Sequence, residues 1–140
     1  MKINIYCDGG SRGNPGPSAA AFVVFDGQQN IIHKDGKYLG IQTNNFAEYS
    51  AIKMAFEWLS KYAESIEKVD FILDSELAVK QLNGLYKIKN PTLQSFVRDI
   101  KALWQDMPYE VTVSHSLREG NLDADTLVNK TLDLHEKSTL

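Results

Sequence analysis

Apolar residues recur along the chain with two different periods, and the points where the period changes divide it into elements. From Lys2 to Asp8, Ile3, Ile5 and Cys7 alternate with Asn4 and Tyr6, the pattern of a strand with one face on a core. Ala19 to Phe25 is an almost unbroken apolar run and Ile31 to Leu39 a more polar third segment, with Asp26-Gly27 and its polar followers as the turn between them. These short connections predict three antiparallel strands, the third at an edge. From Asn44 to Tyr62 the period becomes helical: Ile52, Phe56, Leu59 and Ala63 share one face, with Ala47, Ala51 and Ala55 close by. Val69 to Leu73 is a short buried strand and Ser75 to Leu82 a short helix ended at Gly84. Asn90-Pro91 then opens a helix carrying Leu93, Phe96, Ile100, Leu103 and Trp104. Tyr109 to Ser114 is a fifth strand. A last helix spans about Asp123 to Glu136, with Leu127, Leu132 and Leu134, before a ragged tail. Three strands joined by hairpins and two more reached through helices predict an α/β fold. Its sheet is mixed, antiparallel on one side and parallel on the other, with helices on both faces.

Composition changes this picture little. The 140 residues, 43% hydrophobic and 24% charged, suit a single domain spanning 1–140 with a core that needs no disulfide or structural metal. No segment approaches the roughly 18 to 20 apolar residues of a membrane span, and Met1 leads straight into a strand rather than a cleavable leader. The expectation is a soluble, cytoplasmic, stand-alone monomer that does not engage membranes. The single cysteine, Cys7, excludes a disulfide framework and a cysteine zinc cluster and reads as a small buried hydrophobe. A net charge of −3 provides no broad electrostatic footprint for nucleic acid, so any such function must rest on local charge.

The acids are distributed in a way that local structure does not require. Asp8 ends the first strand, Asp74 follows the fourth, Glu48 lies in the expected first turn of the long helix and Asp125 in that of the last helix. In an open sheet ligands gather at the carboxyl ends of parallel strands, so parallel pairing of the first and fourth strands would aim Asp8 and Asp74 into one crevice. Each acid also has an ordinary reading. Glu48 stands at capping-box spacing from Asn45, Asp74 suits an N-cap, Asp125 a helix dipole and Asp8 a turn. Jointly they suggest a pocket neutralised by divalent cations, and oxygen-only donors suit magnesium or manganese rather than zinc. With Asp70, Asp123 and Glu76 nearby, composition leaves caps and metal site both open.

YCDGGSRGNPGPSAAAFVV, TNNFAEYSAI, LDSELAVKQLNG and HSLREGNLDADTLVN resemble, in order and over essentially the whole chain, the four blocks of the ribonuclease H type 1 family. The resemblance implies the ribonuclease H-like fold, a five-stranded mixed sheet. It implies a metal-dependent endonuclease cutting the RNA strand of RNA/DNA hybrids to leave 5′-phosphate and 3′-hydroxyl ends. Asp8, Glu48, Asp74 and Asp125 match the family's metal-binding catalytic carboxylates. They imply two Mg²⁺ ions, with Mn²⁺ as a substitute, roughly 4 Å apart about the scissile phosphate, one activating a water and the other stabilising the leaving oxygen. His115 stands where many members place a histidine that assists proton transfer or product release. The alternative for it is an exposed loop residue, and His33 and His135 read as surface residues without comparable partners.

On the same resemblance, Gly9, Gly10 and Gly13 leave the backbone bare enough for a nucleic-acid strand, while Asn14, Asn44 and Asn45 reach sugars or bases, where amides can read a 2′-hydroxyl. Thr43 resembles the family's contact to a phosphate of the DNA strand. The spacing of Gly10, Gly13 and Gly16 is neither GxGxxG nor a P-loop, and Asn14 to Pro17 also suits a tight turn. Two departures stand out. Ile41 replaces an arginine found in some members beside Thr43, which implies weaker hybrid selectivity and keeps double-stranded RNA open as a partner. Leu85 to Pro91 is short where some members insert a basic helix and loop, so this is a short form without the basic protrusion. Tyr86, Lys87 and Lys89 read equally as a small phosphate patch or a solvated loop, and Arg118 is undecided in the same way. A catalytically silent hybrid-binding module is the remaining alternative, which retention of all four acids argues against.

Overall fold

The computed structural model describes residues 1–62, 64–116 and 121–138. Nine elements follow in order: β1 (Lys2–Ser11), β2 (Gly16–Phe25), β3 (Ile31–Gln42), α1 (Asn44–Lys61), β4 (Lys68–Leu73), α2 (Glu76–Leu82), α3 (Pro91–Gln105), β5 (Glu110–His115) and α4 (Leu122–Ser138). The sheet order is β3-β2-β1-β4-β5. β2 pairs antiparallel with β1 and β3, while β4 pairs parallel with β1 and β5, which is the mixed sheet expected from the connections.

The helices divide unequally between the faces. α1, α2 and α3 cover one face with a large apolar core that includes Ile3, Ile5, Phe22, Ile52, Phe56, Phe71 and Ile100. Phe56 stacks on Phe71 with centroids 4.1 Å apart. Trp104 and Trp58 pack partly buried at its margin, so the large aromatics serve the core as expected. Cys7 is buried there, and burial together with the adjacent Asp8 pushes its thiol well above the usual range, making it inert. α4 lies on the opposite face, where Val128 and Leu132 meet Ala19 and Ala21 of β2. β2 therefore reads as a continuous apolar run because both of its faces are covered.

Several boundaries and side chains differ from the sequence expectations. β1 continues past Asp8 to Ser11 and β3 past Leu39 to Gln42, because ladder pairing with β2 holds residues whose own composition favours a loop. Leu134 is 58% exposed rather than inward, since the inner face of α4 follows Ala124, Val128 and Leu132 at intervals of one turn. α4 also runs to Ser138, replacing most of the expected tail. His33 stacks on Trp58 and His135 on Tyr38, so both have ring partners. Ala63 and Arg118 lie outside the described residues.

Residues 83–90 hold no helix or strand. Gly84, at φ 77°, lets the chain reverse so that the Leu85 N–H donates to the Lys80 carbonyl at 2.8 Å, closing α2. Asn90 then caps α3 by accepting from Thr92 and Leu93, with Pro91 in the first turn, as its sequence predicts. Among the described residues no helix is long and apolar enough to cross a membrane.

Candidate active site

β1 has two partners, and one stops before the other. The parallel register with β4 ends at Cys7 and Leu73, whereas the antiparallel register with β2 continues through Asp8 to Ser11. Asp8 and Asp74 thus stand side by side where the sheet splits open. Asp8 is only 8% exposed. A Cβ on Gly9 would lie 2.2 Å from the carbonyl carbon of Ala47 and 2.4 Å from the amide nitrogen of Glu48, so the bare backbone there lets α1 rest directly on β1. Glu48 is thereby set beside Asp8.

The helix starts correct three of the ordinary readings. Glu48 lies in the second turn of α1, not the first, because Thr43 is the N-cap, its Oγ1 accepting from the Phe46 N–H at 3.1 Å. A capping box with Asn45 is thereby excluded. The N-cap of α2 is Ser75 rather than Asp74, and the Ser75 side chain also hydrogen-bonds Glu48. Asp8 sits within a strand rather than in a turn. Asp125 does lie in the first turn of α4, as expected. The base of that helix is tied to β1 by Asn121, whose Nδ2 donates to the Cys7 carbonyl at 3.2 Å. All four acids line one cavity of about 250 Å³, together with Gly9, Gly10, Arg12 and Asn44.

Burial and crowding raise the carboxyls of Asp8 and Glu48. Burial, then the charges of Asp74, Asp125 and Glu48, push the Asp8 carboxyl up to about 8. The closeness of the Asp125 side chain pushes Asp8 the same way. Burial pushes Glu48 up to about 7, against the lowering effect of its bond from Ser75. Arg12 lines the pocket but its guanidinium is engaged by Asp133 at 2.7 Å and Glu136 at 2.6 Å. Among the described residues no three His, Cys, Asp or Glu side chains close into a ready-made metal cage. The acids instead rim an open pocket of hard oxygen donors with surplus negative charge. That set fits a Mg²⁺-like ion, which keeps positions for water and substrate oxygens.

His115 ends β5 in register with Leu73, and its Nε2 lies 3.2 Å from the Asp74 carbonyl oxygen. The parallel ladder therefore brings the sequence-predicted histidine to the rim. A second cavity of about 630 Å³ adjoins the first through Asn44 and is lined by Asn14, Gln42, Thr43, Asn45 and Asn90 among others. Asn44 Oδ1 accepts from the Ser11 N–H at 2.9 Å, and Asn14 Oδ1 accepts from the Asn44 N–H at 3.1 Å. Each amide is oriented through its oxygen, leaving its NH₂ as the group to offer a ligand. The expected substrate residues thus fall into two neighbouring places: Gly9 and Gly10 with the acids, and Asn14, Thr43, Asn44 and Asn45 in the amide cleft. Gln42, Ser75, Asn90 and Asn121 are members that sequence reasoning missed. Asn90 was legible only as the cap before Pro91, and Asn121 gave no local signal. Ile41 is 63% exposed. Tyr86, Lys87 and Lys89 are exposed as well, outside both cavities, and the ammonium of Lys80 lies 5.1 Å from the Tyr86 ring centroid.

A family model described as reverse transcriptase-like matches residues 6–131. Ribonuclease HI of Halobacterium salinarum is 33% identical over 94% of this chain and 65% of its own length. The crystal structure of that RNase H1 superposes with a TM-score of 0.88 over 95% of this chain and 98% of the other. LC11-RNase H1, isolated from compost by a metagenomic approach and solved in complex with an RNA/DNA hybrid, is 39% identical, with a TM-score of 0.87 over 95% and 98% of the two chains. The N-terminal RNase H domain of Rv2228c from Mycobacterium tuberculosis is 30% identical, with a TM-score of 0.90 over 100% and 99%. The chain spans 65% of the Halobacterium protein and 37% of the whole bifunctional Rv2228c.

Proposed function

The chain belongs to the ribonuclease H type 1 family, and from that premise we propose that it is a metal-dependent endoribonuclease that hydrolyses the RNA strand of RNA/DNA hybrids. The observation that carries this reading is the junction of the two cavities. Four carboxylates, from β1, α1, α4 and the connection after β4, meet beside an amide-lined cleft, with Asn44 in both.

Asp8, Glu48, Asp74 and Asp125 are the residues that would hold divalent cations, Mg²⁺ or Mn²⁺. Bound there, the ions would neutralise charge at the scissile phosphate and favour attack by water, giving 5′-phosphate and 3′-hydroxyl ends without a protein nucleophile. Ser75 orients Glu48, and α1 fixes Glu48 relative to Asp8. His115, on the rim at Asp74, is suited to move a proton to or from the departing oxygen. Asn14, Asn44 and Asn45 offer NH₂ donors toward the 2′-hydroxyl that distinguishes RNA, and Thr43 with Asn90 offers polar contacts to the backbone of the paired strand. The same reading places the protein in the cytoplasm as a monomer.

A second reading rests on Ile41. Its exposed aliphatic side chain beside Gln42 offers no charge to a DNA phosphate, which supports cleavage of double-stranded RNA in addition. One assay separates the readings: an end-labelled RNA strand paired with DNA, paired with RNA, and alone, each with Mg²⁺, Mn²⁺ or chelator, beside Asp74→Asn. Metal-dependent cutting of the hybrid, lost in the variant, is expected. Binding without cutting under any metal would make the chain a hybrid-binding module instead.

A further inference from the structure

α4 carries one acid of the pocket, so what fastens the helix near that acid decides where the acid stands. Its apolar anchors on β2, Val128 and Leu132, lie one and two turns beyond Asp125, and Arg12 grips it further on through Asp133 and Glu136. At its base Ala124 is fully buried, and the Asn121 Nδ2 donates to the Cys7 carbonyl. Cys7 immediately precedes Asp8, and Asn121 precedes Asp125 by one helical turn. The bond joins residues 114 positions apart in the sequence. Asn121 is 1% exposed, and its Oδ1 is the buried side-chain oxygen without a hydrogen-bond partner among the described residues. A buried amide whose oxygen has no hydrogen-bond partner among the described residues is costly to keep for packing alone, where an apolar side chain of the same shape would serve.

We propose that Asn121 is a positioning residue for the cation centre: by tying the base of α4 to the β1 carbonyl next to Asp8, it sets where Asp125 stands relative to Asp8. This rests on the reading of the four acids as cation ligands. Asn121 touches neither substrate nor cation, and acts through the placement of the helix.

The test compares the whole protein with Asn121→Leu, which keeps the shape and removes the donor, and Leu127→Ala, which loosens the same helix two residues beyond Asp125. Binding of Mn²⁺ alone is read by titration calorimetry without substrate, and thermal midpoints are read in chelator. Asn121→Leu is expected to weaken Mn²⁺ binding about tenfold or more, in line with other residues that orient a metal's ligands. Half-maximal turnover would require correspondingly more metal, while KM for hybrid changes less than about twofold. Leu127→Ala is expected to lower the midpoint at least as much while leaving Mn²⁺ affinity within about twofold. Asn121→Ser, which retains a shorter donor, should fall between wild type and Asn121→Leu, and it serves if the leucine variant does not fold. Equal Mn²⁺ affinity in wild type and the Asn121 variants overturns the proposal while leaving the cation site intact. So does equal weakening by Leu127→Ala, which would reduce Asn121 to general packing. Absence of Mn²⁺ binding in the wild type would sink both the proposal and the reading beneath it.

Discussion

The carboxylate pocket and the amide cleft share Asn44 but hold their polar groups in opposite ways. In the pocket, burial first and then neighbouring carboxylate charge, that of Asp74 above all, push the carboxyls of Asp8 and Glu48 up into the neutral range. In the cleft, Asn14, Asn44, Thr43 and Asn90 each accept from a backbone N–H. The cleft is therefore complete as folded, and its amides need only meet a ligand. The pocket is incomplete, since the fold alone leaves its charge unopposed. Recognition and chemistry thus carry different energetic signatures at adjoining sites, and substitutions should separate them.

The largest expected effect is in the pocket. Asp8→Asn should lower cleavage on the order of a thousandfold or more in a gel assay, through loss of a ligand for the activating ions. Its thermal midpoint in chelator should be unchanged or higher, because charge repulsion falls. Wild-type turnover in that variant would remove Asp8 from the site. Gly9→Ala should erase the contrast altogether. Its methyl would press on the backbone of α1, which carries both Glu48 and the start of the cleft, so a destabilisation of about 3 kcal/mol is expected, with weaker cation and hybrid binding together. Retention of either property would show that the two sites are not set by one helix. Asn44→Ala should sharpen the contrast: loss of its bond from Ser11 costs about 1 kcal/mol by denaturant titration, with a several-fold rise in KM and a smaller change in kcat.

The smallest effect is in pH. The carboxyls of Asp8 and Glu48 in the fold hold protons to about 8 and about 7, above their ordinary 3.8 and 4.5. The metal-free fold therefore binds more protons than the unfolded chain across that interval, and these two groups make it less stable as pH rises from about 4 to about 8. Thermal midpoints in chelator should decline over that window, and saturating Mg²⁺ should flatten the decline. A midpoint that rises through the window without metal would contradict the raised carboxyls.

Most of the architecture was legible because it depends on period and punctuation. Alternation marked the interior residues of β1, Asn90-Pro91 marked the start of α3, and the order of hairpins and helices dictated the mixed sheet. The acids were legible as a set once parallel pairing was inferred, and motif resemblance pointed to the same four. What escaped was whatever depends on partners distant in sequence. β1 runs on through three residues after Asp8 because β2 is opposite, Leu134 turns outward because α4 docks on another stripe, and Gly9 is bare for the sake of a helix some 40 residues later. The roles of Ser75 and Asn121 likewise exist only once separate elements meet.

Among the described residues α4 is the one helix on its side of the sheet, seated on alanines rather than interlocked with other helices. In kinetic terms it is suited to dock last, after residues 1–115 have formed the larger core, so Asp125 would join the other acids late and the folding barrier would not include their repulsion. Substitutions on the inner face of α4, such as Val128→Ala, should then accelerate unfolding in stopped-flow traces while leaving the refolding limb almost unmoved. The centre on which turnover depends would be the last part of the molecule to assemble and the first to come apart.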